Sequence, residues 1–299
     1  MAKRKIRITK AARFDYTIKS FQDEEITIVE NPAFYREYDK AGNLIEEIIY
    51  GPGGYLSEKY SFIYKEGKMR EQMVYLDENT VAEHQFFEYQ GDKLIKQITK
   101  YQEGEDETLW TYDNNGRLLS KITYDEGDET EKTSYEYEGD KIRKQTFESG
   151  DLILEEIETL DNQNRVKERM VNDLIEEEKN VTFFSYTSDG LLQNETLKTI
   201  DGKLIQNIEN EYNENGKMIS VITKTPNSLS KLILKYDDQG NEIYQLETNE
   251  NEEINHHVER KFDSEGNILE TEVEVFYHGQ GMDNHYQIKY EYEFFDENE

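Results

Sequence analysis

The chain has 299 residues, enough for one large domain or two ordinary ones, and its 66 acidic and 35 basic residues give a net charge of −31. A surface this acidic repels nucleic-acid phosphate and anionic membranes, and it attracts basic partners. Apolar residues reach only 35%, a level typical of disordered chains, but 22 Tyr and 13 Phe are more aromatic residues than such chains carry. We therefore expect a folded protein with a thin core and much exposed surface.

The first residues of the chain are basic. Six basic residues and no acid lie within the first 13, so this segment carries +6 and the remainder −37. They are Lys3, Arg4, Lys5, Arg7, Lys10 and Arg13. Such an arm can grip nucleic acid or a protein partner, or it can lie against the acidic body of its own chain, which is the interpretation we favour. We assign residues 1–33 to an N-terminal cap that carries this arm.

From the sequence we expect no Sec signal, no membrane-spanning helix and no cysteine chemistry. The start of the chain has no apolar run of the ~7–15 residues that a Sec signal requires. No stretch approaches the ~18 successive apolar residues of a membrane-spanning helix. The chain contains no Cys, which excludes disulfides, thiolate catalysis and Cys-ligated zinc. We expect a cytoplasmic protein without membrane contact, and leave open its export by a dedicated secretion machine.

From residue 34 to 292 the chain repeats a unit of about 25 residues ten times. Each repeat carries an anchor residue followed by a turn, and successive anchors are 23 to 26 residues apart. Nine anchors are aromatic: Tyr38, Tyr64, Tyr89, Tyr112, Tyr137, Tyr186, Tyr212, Tyr236 and Phe262. The remaining repeat has Leu160 as its anchor and Asn164 in place of the turn Gly. Because Gly and Asn tolerate the positive φ of hairpin turns, each anchor predicts a hairpin.

Hydrophobic alternation supports this interpretation. In every repeat an apolar residue lies five to seven residues past the anchor, and the residue two positions further on is polar. A second turn lies roughly midway through each repeat, as at residues 51–54, 126–128 and 201–202. Each repeat is thus strand, turn, strand, turn, and ten repeats predict about 20 antiparallel strands.

An array of this size cannot stay flat, because strand pairs twist by roughly 20° and open sheets beyond ~10 strands curl. We predict an all-β, repetitive antiparallel hairpin array coiled into a spiral, an open cylinder or a C-shaped ribbon. Anchor rings stacked on neighbouring hairpins would form cross-strand ladders. The ends of the array would expose strand edges. We expect residues 1–33 to cover one edge and an acidic tail, residues 293–299, to blunt the other.

Three segments carry a family resemblance: YDKAGNLIEEIIY at 38–50, YDNNGRLLSKITY at 112–124 and YDDQGNEI at 236–243. They resemble the YD repeat, also called the RHS repeat, of bacterial polymorphic toxins and wall-associated proteins. The likeness covers about residues 34–292, and some repeats are more distantly similar to MORN-like antitoxin repeats. Repeats of the RHS family spiral into a hollow shell around a C-terminal toxin, so the resemblance implies a coiled sheet and a connection with toxins. We find no toxin domain or self-cleavage motif in this chain.

The five histidines are the best candidates for site chemistry. His278 and His285 bracket a Gly-rich loop and with Asp283 could bind a metal, although a solvated loop explains the pattern better. His256 and His257 are adjacent, so on a strand they point to opposite faces and cannot chelate together. The Asp- and Asn-rich turns lack the EF-hand ligand pattern, and no catalytic or cofactor fingerprint is present. We predict no enzyme activity, no metal and no cofactor.

The composition and the repeats together favour a non-catalytic scaffold that binds a protein partner, expected to be basic. Within this class we favour an immunity or antitoxin-like protein, or an accessory protein of a bacterial toxin or secretion system. One alternative is a structural component of a surface or particle assembly, built by self-association. A weaker alternative is an acidic mimic of nucleic acid that occupies a DNA-binding protein. Glycan binding by the aromatic face also stays open, whereas nucleic acid itself is not an expected partner.

Overall fold

In a computed structural model, residues 4–18, 26–279 and 283–296 are described, and they form antiparallel β-strands joined by turns. The predicted all-β character and repeated hairpins are confirmed, with 22 strands among the described residues. The strands are β1 (Ile6–Ile18), β2 (Ile26–Tyr38), β3 (Leu44–Tyr50), β4 (Leu56–Lys65), β5 (Lys68–Tyr75), β6 (Val81–Gln90), β7 (Lys93–Lys100), β8 (Glu105–Tyr112), β9 (Leu118–Asp125), β10 (Asp128–Glu138), β11 (Lys141–Glu148), β12 (Asp151–Leu160), β13 (Val166–Asp173), β14 (Glu178–Tyr186), β15 (Leu192–Thr199), β16 (Leu204–Tyr212), β17 (Met218–Lys224), β18 (Leu229–Tyr236), β19 (Glu242–Asn249), β20 (Ile254–Phe262), β21 (Ile268–Val275) and β22 (Asn284–Phe294).

The chain divides into two compact units. Unit 1 comprises residues 1–84 and 232–299, and unit 2 comprises residues 85–231. The boundaries expected from the sequence, after residue 33 and before residue 293, fall inside β2 and β22. Whether the cap, the repeat array and the tail are separate folding units stays a prediction.

In unit 1 the first strand of the chain pairs with the last. The β1–β22 ladder runs from Ile6 opposite Phe294 to Asp15 opposite Tyr286, and β1 also pairs with β2. We expected open ends, with a cap and an acidic tail protecting free edges, and this expectation is wrong at these two strands. Because β1 and β22 satisfy each other's backbone groups, neither has to be protected as an edge.

Unit 2 is a run of hairpins in which β7 to β17 pair antiparallel in chain order. The turns that follow the anchors therefore lie at one end of its strands, and the second turns lie at the opposite end. We call the first the anchor end, which contains the turns 91–92, 113–117, 139–140, 161–165, 187–191 and 213–217. We call the second the far end, which contains the turns 101–104, 126–127, 149–150, 174–177, 200–203 and 225–228.

Five anchor turns begin with Asp and share one hydrogen-bond pattern. In the turn of Asp161, Oδ1 accepts the backbone N–H of Gln163 at 2.8 Å and of Arg165 at 3.0 Å. The turns of Asp39, Asp113, Asp237 and Asp263 repeat this pair of bonds. Asn164 has a φ of 60°, which confirms that it replaces Gly in the left-handed region. The Asp of the repeat thus shapes the turn by binding backbone donors.

Each anchor is the last or the penultimate residue of the strand entering its turn. In unit 2 four anchor hydroxyls donate to the carbonyl of the first apolar residue in the outgoing strand of the preceding repeat, at 2.6 to 2.9 Å. These pairs are Tyr112–Leu94, Tyr137–Leu118, Tyr186–Val166 and Tyr212–Leu192. Tyr292 makes the same bond to Ile268 in unit 1, at 2.7 Å, and burial raises its pKa to about 12. The anchors therefore link successive repeats.

The predicted ladder of stacked anchor rings is replaced in unit 2 by basic side chains. Lys93 lies 4.9 Å from the ring centre of Tyr112, and Arg117 lies 4.4 Å from that of Tyr137. Arg165 covers Tyr186 in the same way, at 4.3 Å. Such a cation on an aromatic face contributes about 0.5–1 kcal/mol at an exposed site. The residue that closes one turn thus covers the anchor of the next repeat.

The core is thin, as predicted. Among the described residues, five apolar side chains are buried and no large side chain is completely buried. The five are Ile8, Ala11, Leu234, Val258 and Val273. Short polar side chains, such as Thr133 and Asn210 of unit 2, are also buried.

Candidate interaction surface

The basic arm predicted at the N-terminus forms strand β1 of unit 1 and contacts carboxylates of its own chain. Arg7 and Lys10 both bind Glu293, at 2.6 and 2.9 Å, and their hydrogen bonds lower the pKa of that carboxyl. Arg4 pairs with Glu265 at 2.9 Å. Lys3 lies outside the described residues. These contacts do not test the other predicted role of the arm, which is docking on a partner, and that role stays a prediction.

The other two basic residues of the arm are also engaged within unit 1. Arg13 pairs with Asp15 at 2.7 Å and lies 3.6 Å from the ring centre of Tyr286. The ammonium group of Lys5 donates to the carbonyl of Lys40 at 2.8 Å.

Among the described residues, His278, Asp283 and His285 each have a hydrogen-bond partner in unit 1. His278 contacts Asn255, and His285 contacts Glu272 at 2.9 Å. Asp283 accepts the backbone N–H of Tyr277. Residues 280–282, inside the loop considered in the sequence, lie outside the described residues. Within the described part of the chain, no group of three or more His, Asp or Glu side chains is arranged to bind a metal.

The two ends of the strands in unit 2 differ in charge. We counted charged residues over each turn together with one flanking residue on each side. The far end has twelve acidic and three basic residues, and the anchor end has seven acidic and five basic residues. The far-end acids are Glu103, Glu105, Asp125, Glu126, Asp128, Glu148, Asp151, Asp173, Glu176, Glu177, Glu178 and Asp201, and its bases are Lys100, Lys203 and Lys224. The far end thus carries −9 and the anchor end −2, so the acidity of unit 2 is concentrated at the far end.

The carboxylates at the two ends are used differently. At the anchor end, Asp113 and Asp161 each bind two backbone N–H groups and an arginine, and these contacts lower their pKa values. At the far end, Glu126, Glu176 and Glu177 are exposed and form no ion pair or side-chain hydrogen bond with any described residue. Their charges are consequently available to another molecule.

Apolar side chains are exposed beside these carboxylates. Ile175 is 62% exposed, Ile200 59%, Leu174 44% and Tyr101 42%. The backbone N–H of Ile200 binds the carbonyl of Lys179 at 2.9 Å, which places it next to the turn that carries Leu174 and Ile175. Apolar side chains grouped on a charged surface are typical of protein-binding sites.

A pocket of about 530 Å³ lies beside two of the far-end turns. It is lined by Leu109 and Tyr124 together with Glu105, Glu107 and Glu126. Lys96 pairs with Glu107 at 2.6 Å, and this bond raises the pKa of the lysine. The pocket therefore combines an apolar wall with carboxylates, as the neighbouring turns do.

Sequence reasoning identified the second turns as turns but missed their common surface. Charge counted turn by turn was the available signal, because the acids recur at 103–105, 125–128 and 176–178. It also missed Tyr292 as an anchor, which lies 30 residues after Phe262, outside the repeat interval. Among the described residues, no helix has the length and apolar character needed to cross a lipid bilayer.

Several solved structures are similar to the chain. A porin-like protein from Bacteroides uniformis aligns with a TM-score of 0.37 and 13% identity, over 95% of this chain and 97% of the other. TcdB2-TccC3 aligns with a TM-score of 0.34 and 14% identity, over 89% of this chain but only 16% of the other. TcdB2-TccC3 without its hypervariable C-terminal region aligns with a TM-score of 0.27 and 13% identity, over 84% of this chain and 17% of the other. Similarities this distant carry no information about function.

The remaining comparisons concern sequence. No curated protein matches the chain. A family model described as "Uncharacterised protein" matches residues 3–167, more than half of the 299 residues. The matched region begins ahead of β1 and ends in β13, so it includes strands of both units. The chain belongs to this family of uncharacterised proteins.

Proposed function

We propose that the protein is a non-catalytic scaffold that binds a basic protein through the far end of unit 2. One observation supports this most directly: Leu174 and Ile175 are exposed, and the next residues of their turn, Glu176 and Glu177, are exposed carboxylates without a side-chain partner among the described residues. Burying these aliphatic side chains would supply affinity at roughly 25 cal/mol per Å² of apolar area. The carboxylates would select a partner with the opposite charge.

Electrostatics defines how such a complex should behave. Complementary charge accelerates encounter and excludes acidic competitors, and this contribution weakens as salt screens the exposed groups. Apolar contacts at the centre of an interface are less sensitive to salt and slow the release of the partner. We therefore expect capture that is rapid at low salt and weaker at high salt.

Within this class the proposed role is that of an immunity or antitoxin-like protein, or an accessory protein of a bacterial toxin or secretion system. The proposal includes membership of the repeats in the YD family. The turn geometry supports that membership, because the Asp after the anchor binds backbone donors in five turns, as in the turn of Asp39. An Asp at this position thus has a structural reason to recur with the Tyr. We expect the complex to form in the cytoplasm.

Self-association is a less favoured alternative. End-to-end assembly by strand pairing would need unpaired strands at the ends of the chain, but β1 and β22 are paired with each other. A structural role would consequently require a different contact surface.

Affinity capture tests the proposal. The immobilised full chain is incubated with a lysate of its source organism at about 50 mM and about 500 mM salt, and the bound proteins are identified by mass spectrometry. We expect a basic protein that is retained at the lower salt and depleted at the higher. Recovery of no basic protein at either salt concentration would overturn the proposal.

A triple variant of the far end sharpens this experiment. Glu126→Gln, Glu176→Gln and Glu177→Gln together remove three charges from the far end. Glu66→Gln, Glu78→Gln and Glu252→Gln remove three charges from exposed positions of unit 1 and form the matched control. Capture should fall for the far-end variant and persist for the control. Equal capture by both variants would refute the assignment to the far end.

A further inference from the structure

Strand β2 of unit 1 is paired along its whole length on one side only. Its ladder with β1 extends to Ile26, the first residue of the strand, whereas its ladder with β3 ends at Phe34. Gly54 lies against Pro32, since a Cβ at Gly54 would be 3.0 Å from Cδ of Pro32. On the side away from β1, residues 26–30 therefore form no strand pairing and no backbone hydrogen bond with any described residue. We call these five residues the free edge.

The side chains of the free edge are mainly apolar and exposed. Ile26 is 64% exposed, Ile28 57% and Val29 42%. The first four residues are all β-branched and favour an extended backbone. Soluble proteins commonly protect a strand edge with Lys or Pro or with a covering segment, because unpaired backbone groups can pair with another chain. The free edge contains neither Lys nor Pro, so it is suited to accept an additional strand.

A groove of about 510 Å³ begins at the free edge. Ala12 and Phe14 of β1 lie directly opposite Pro32 and Glu30 of β2, so these four side chains share one face of the sheet, and all four line the groove. Ile28 is two residues from Glu30 and therefore lies on the same face. The groove thus continues the apolar surface of the free edge across β1.

The charges that line the groove are placed unequally. Its two lysines are on β1 and β22, where Lys10 pairs with Glu293 at 2.9 Å and Lys289 lies 4.9 Å from the ring centre of Phe14. Glu30 is on the free edge itself, is exposed, and forms no ion pair or side-chain hydrogen bond with any described residue. A strand added to the edge would lie ~4.8 Å from β2, so its side chains would meet Glu30 before either lysine.

We propose that the free edge binds an extended segment of another protein as an additional β-strand, with apolar side chains against Ile26 and Ile28 and a basic side chain beside Glu30. A second copy of this chain fits less well. The net charge of −31 on each copy opposes association. The free edge also has no basic residue of its own, so pairing with itself would give Glu30 no cation. The site is in unit 1 and does not depend on the far-end surface.

A short peptide tests the site without knowledge of the partner. The probe has about eight residues, with Val at alternate positions, Thr at the others and one central Lys, and it is capped and carries a fluorescent label. Its binding to the full chain is measured by fluorescence anisotropy. The control is the same peptide with methylated backbone nitrogens, which keeps the side chains and the charge but cannot donate backbone hydrogen bonds. The unmethylated probe should bind at least about tenfold more tightly, because strand addition depends on those bonds.

Hydrogen exchange and two variants assign the binding to this edge. Mass spectrometry should show slower amide exchange in residues 26–30 when the probe is bound. Ile26→Thr with Ile28→Thr keeps β-branched residues but removes apolar contact area, and it should weaken probe binding at least about fivefold. The matched control is Ile63→Thr with Leu76→Thr, which changes two residues of unit 1 that are 45% and 66% exposed and should leave binding unchanged.

The outcomes separate this site from the proposed function. Equal binding of the two peptides, or unchanged exchange in residues 26–30, would overturn the inference even if the far end captures a basic protein. A dimer of the free chain in light scattering that Ile26→Thr with Ile28→Thr abolishes would also overturn it, because the edge would then belong to a second copy. Probe binding that the far-end variant retains would support the inference even if no basic protein is captured. Should the Thr variant fail to fold, the methylated peptide and the exchange measurement decide.

Discussion

The two ends of unit 2 are made by the same hairpins, and each end has a group of acidic residues that is used in a way opposite to the other. At the anchor end, carboxylates such as Asp161 bind backbone N–H groups and a neighbouring arginine. At the far end, carboxylates such as Glu176 have no partner among the described residues. Some acidic residues of this chain are therefore required by the turn geometry, whereas the fold does not explain the others.

The aromatic and aliphatic residues show the same contrast. Tyr137 at the anchor end is covered by Arg117 and bonded to Leu118. Ile175 at the far end is 62% exposed. Folding accounts for the first residue, whereas the second contributes little to folding in the free chain. Substitutions at the two ends should therefore have different consequences.

The largest effect on stability is expected for Tyr137→Ala. This change removes the ring, its hydroxyl bond to Leu118 and the contact with Arg117, and large aromatic truncations of this kind cost about 3 kcal/mol. Ile175→Ala at the far end should stay within about 0.5 kcal/mol of the wild type, because the residue is exposed. Urea denaturation followed by circular dichroism measures both. Equal destabilisation by the two substitutions would contradict the claim that the fold depends on the anchor end more than on the far end.

The anchors show how far the sequence could predict this fold. Tyr137 and Leu160 were identified as strand ends from spacing alone, since a hairpin repeat fixes the turn relative to its strands. The pairing of β1 with β22 could not be predicted, because it joins Ile6 to Phe294 and no local pattern records such a contact. In the sequence, Arg117 is recognisable only as part of a turn. Its place over Tyr137 depends on the register between successive repeats.

The candidate site was harder to predict for a related reason. Glu126 and Glu176 are 50 residues apart, and only the antiparallel pairing in chain order brings their turns to the same end of the strands. In the sequence each is one of 66 acids, with nothing to distinguish it from Asp161. The distinction appears once the hydrogen bonds of Asp161 are known.

A smaller effect on stability is expected for Asp161→Ala. The substitution removes the acceptor of two backbone N–H groups and the partner of Arg165, so the urea midpoint should fall. Glu126→Ala at the far end removes a carboxylate with no such contacts and should leave the midpoint unchanged. A midpoint for Asp161→Ala equal to that of Glu126→Ala would show that the turn carboxylate is dispensable.

The smallest effect is expected from acidification. Backbone and side-chain hydrogen bonds from Arg117 and Arg165 hold the pKa values of Asp113 and Asp161 below the ordinary value. A depressed pKa in the folded state stabilises the protein above the unfolded value of about 3.9, and this contribution is lost as pH falls through the folded pKa. Asp113→Asn with Asp161→Asn should flatten the decrease in urea midpoint between about pH 5 and pH 3. A decrease as steep as that of the wild type would contradict this assignment.

The affinity for a captured basic protein tests the central claim most directly. It is measured by isothermal titration calorimetry at low salt for the wild type, for the far-end variant (Glu126→Gln, Glu176→Gln and Glu177→Gln) and for the unit 1 control (Glu66→Gln, Glu78→Gln and Glu252→Gln). We predict at least about tenfold weaker binding for the far-end variant and unchanged binding for the control. Equal affinities for the two variants would contradict the claim that the far end of unit 2 binds the partner.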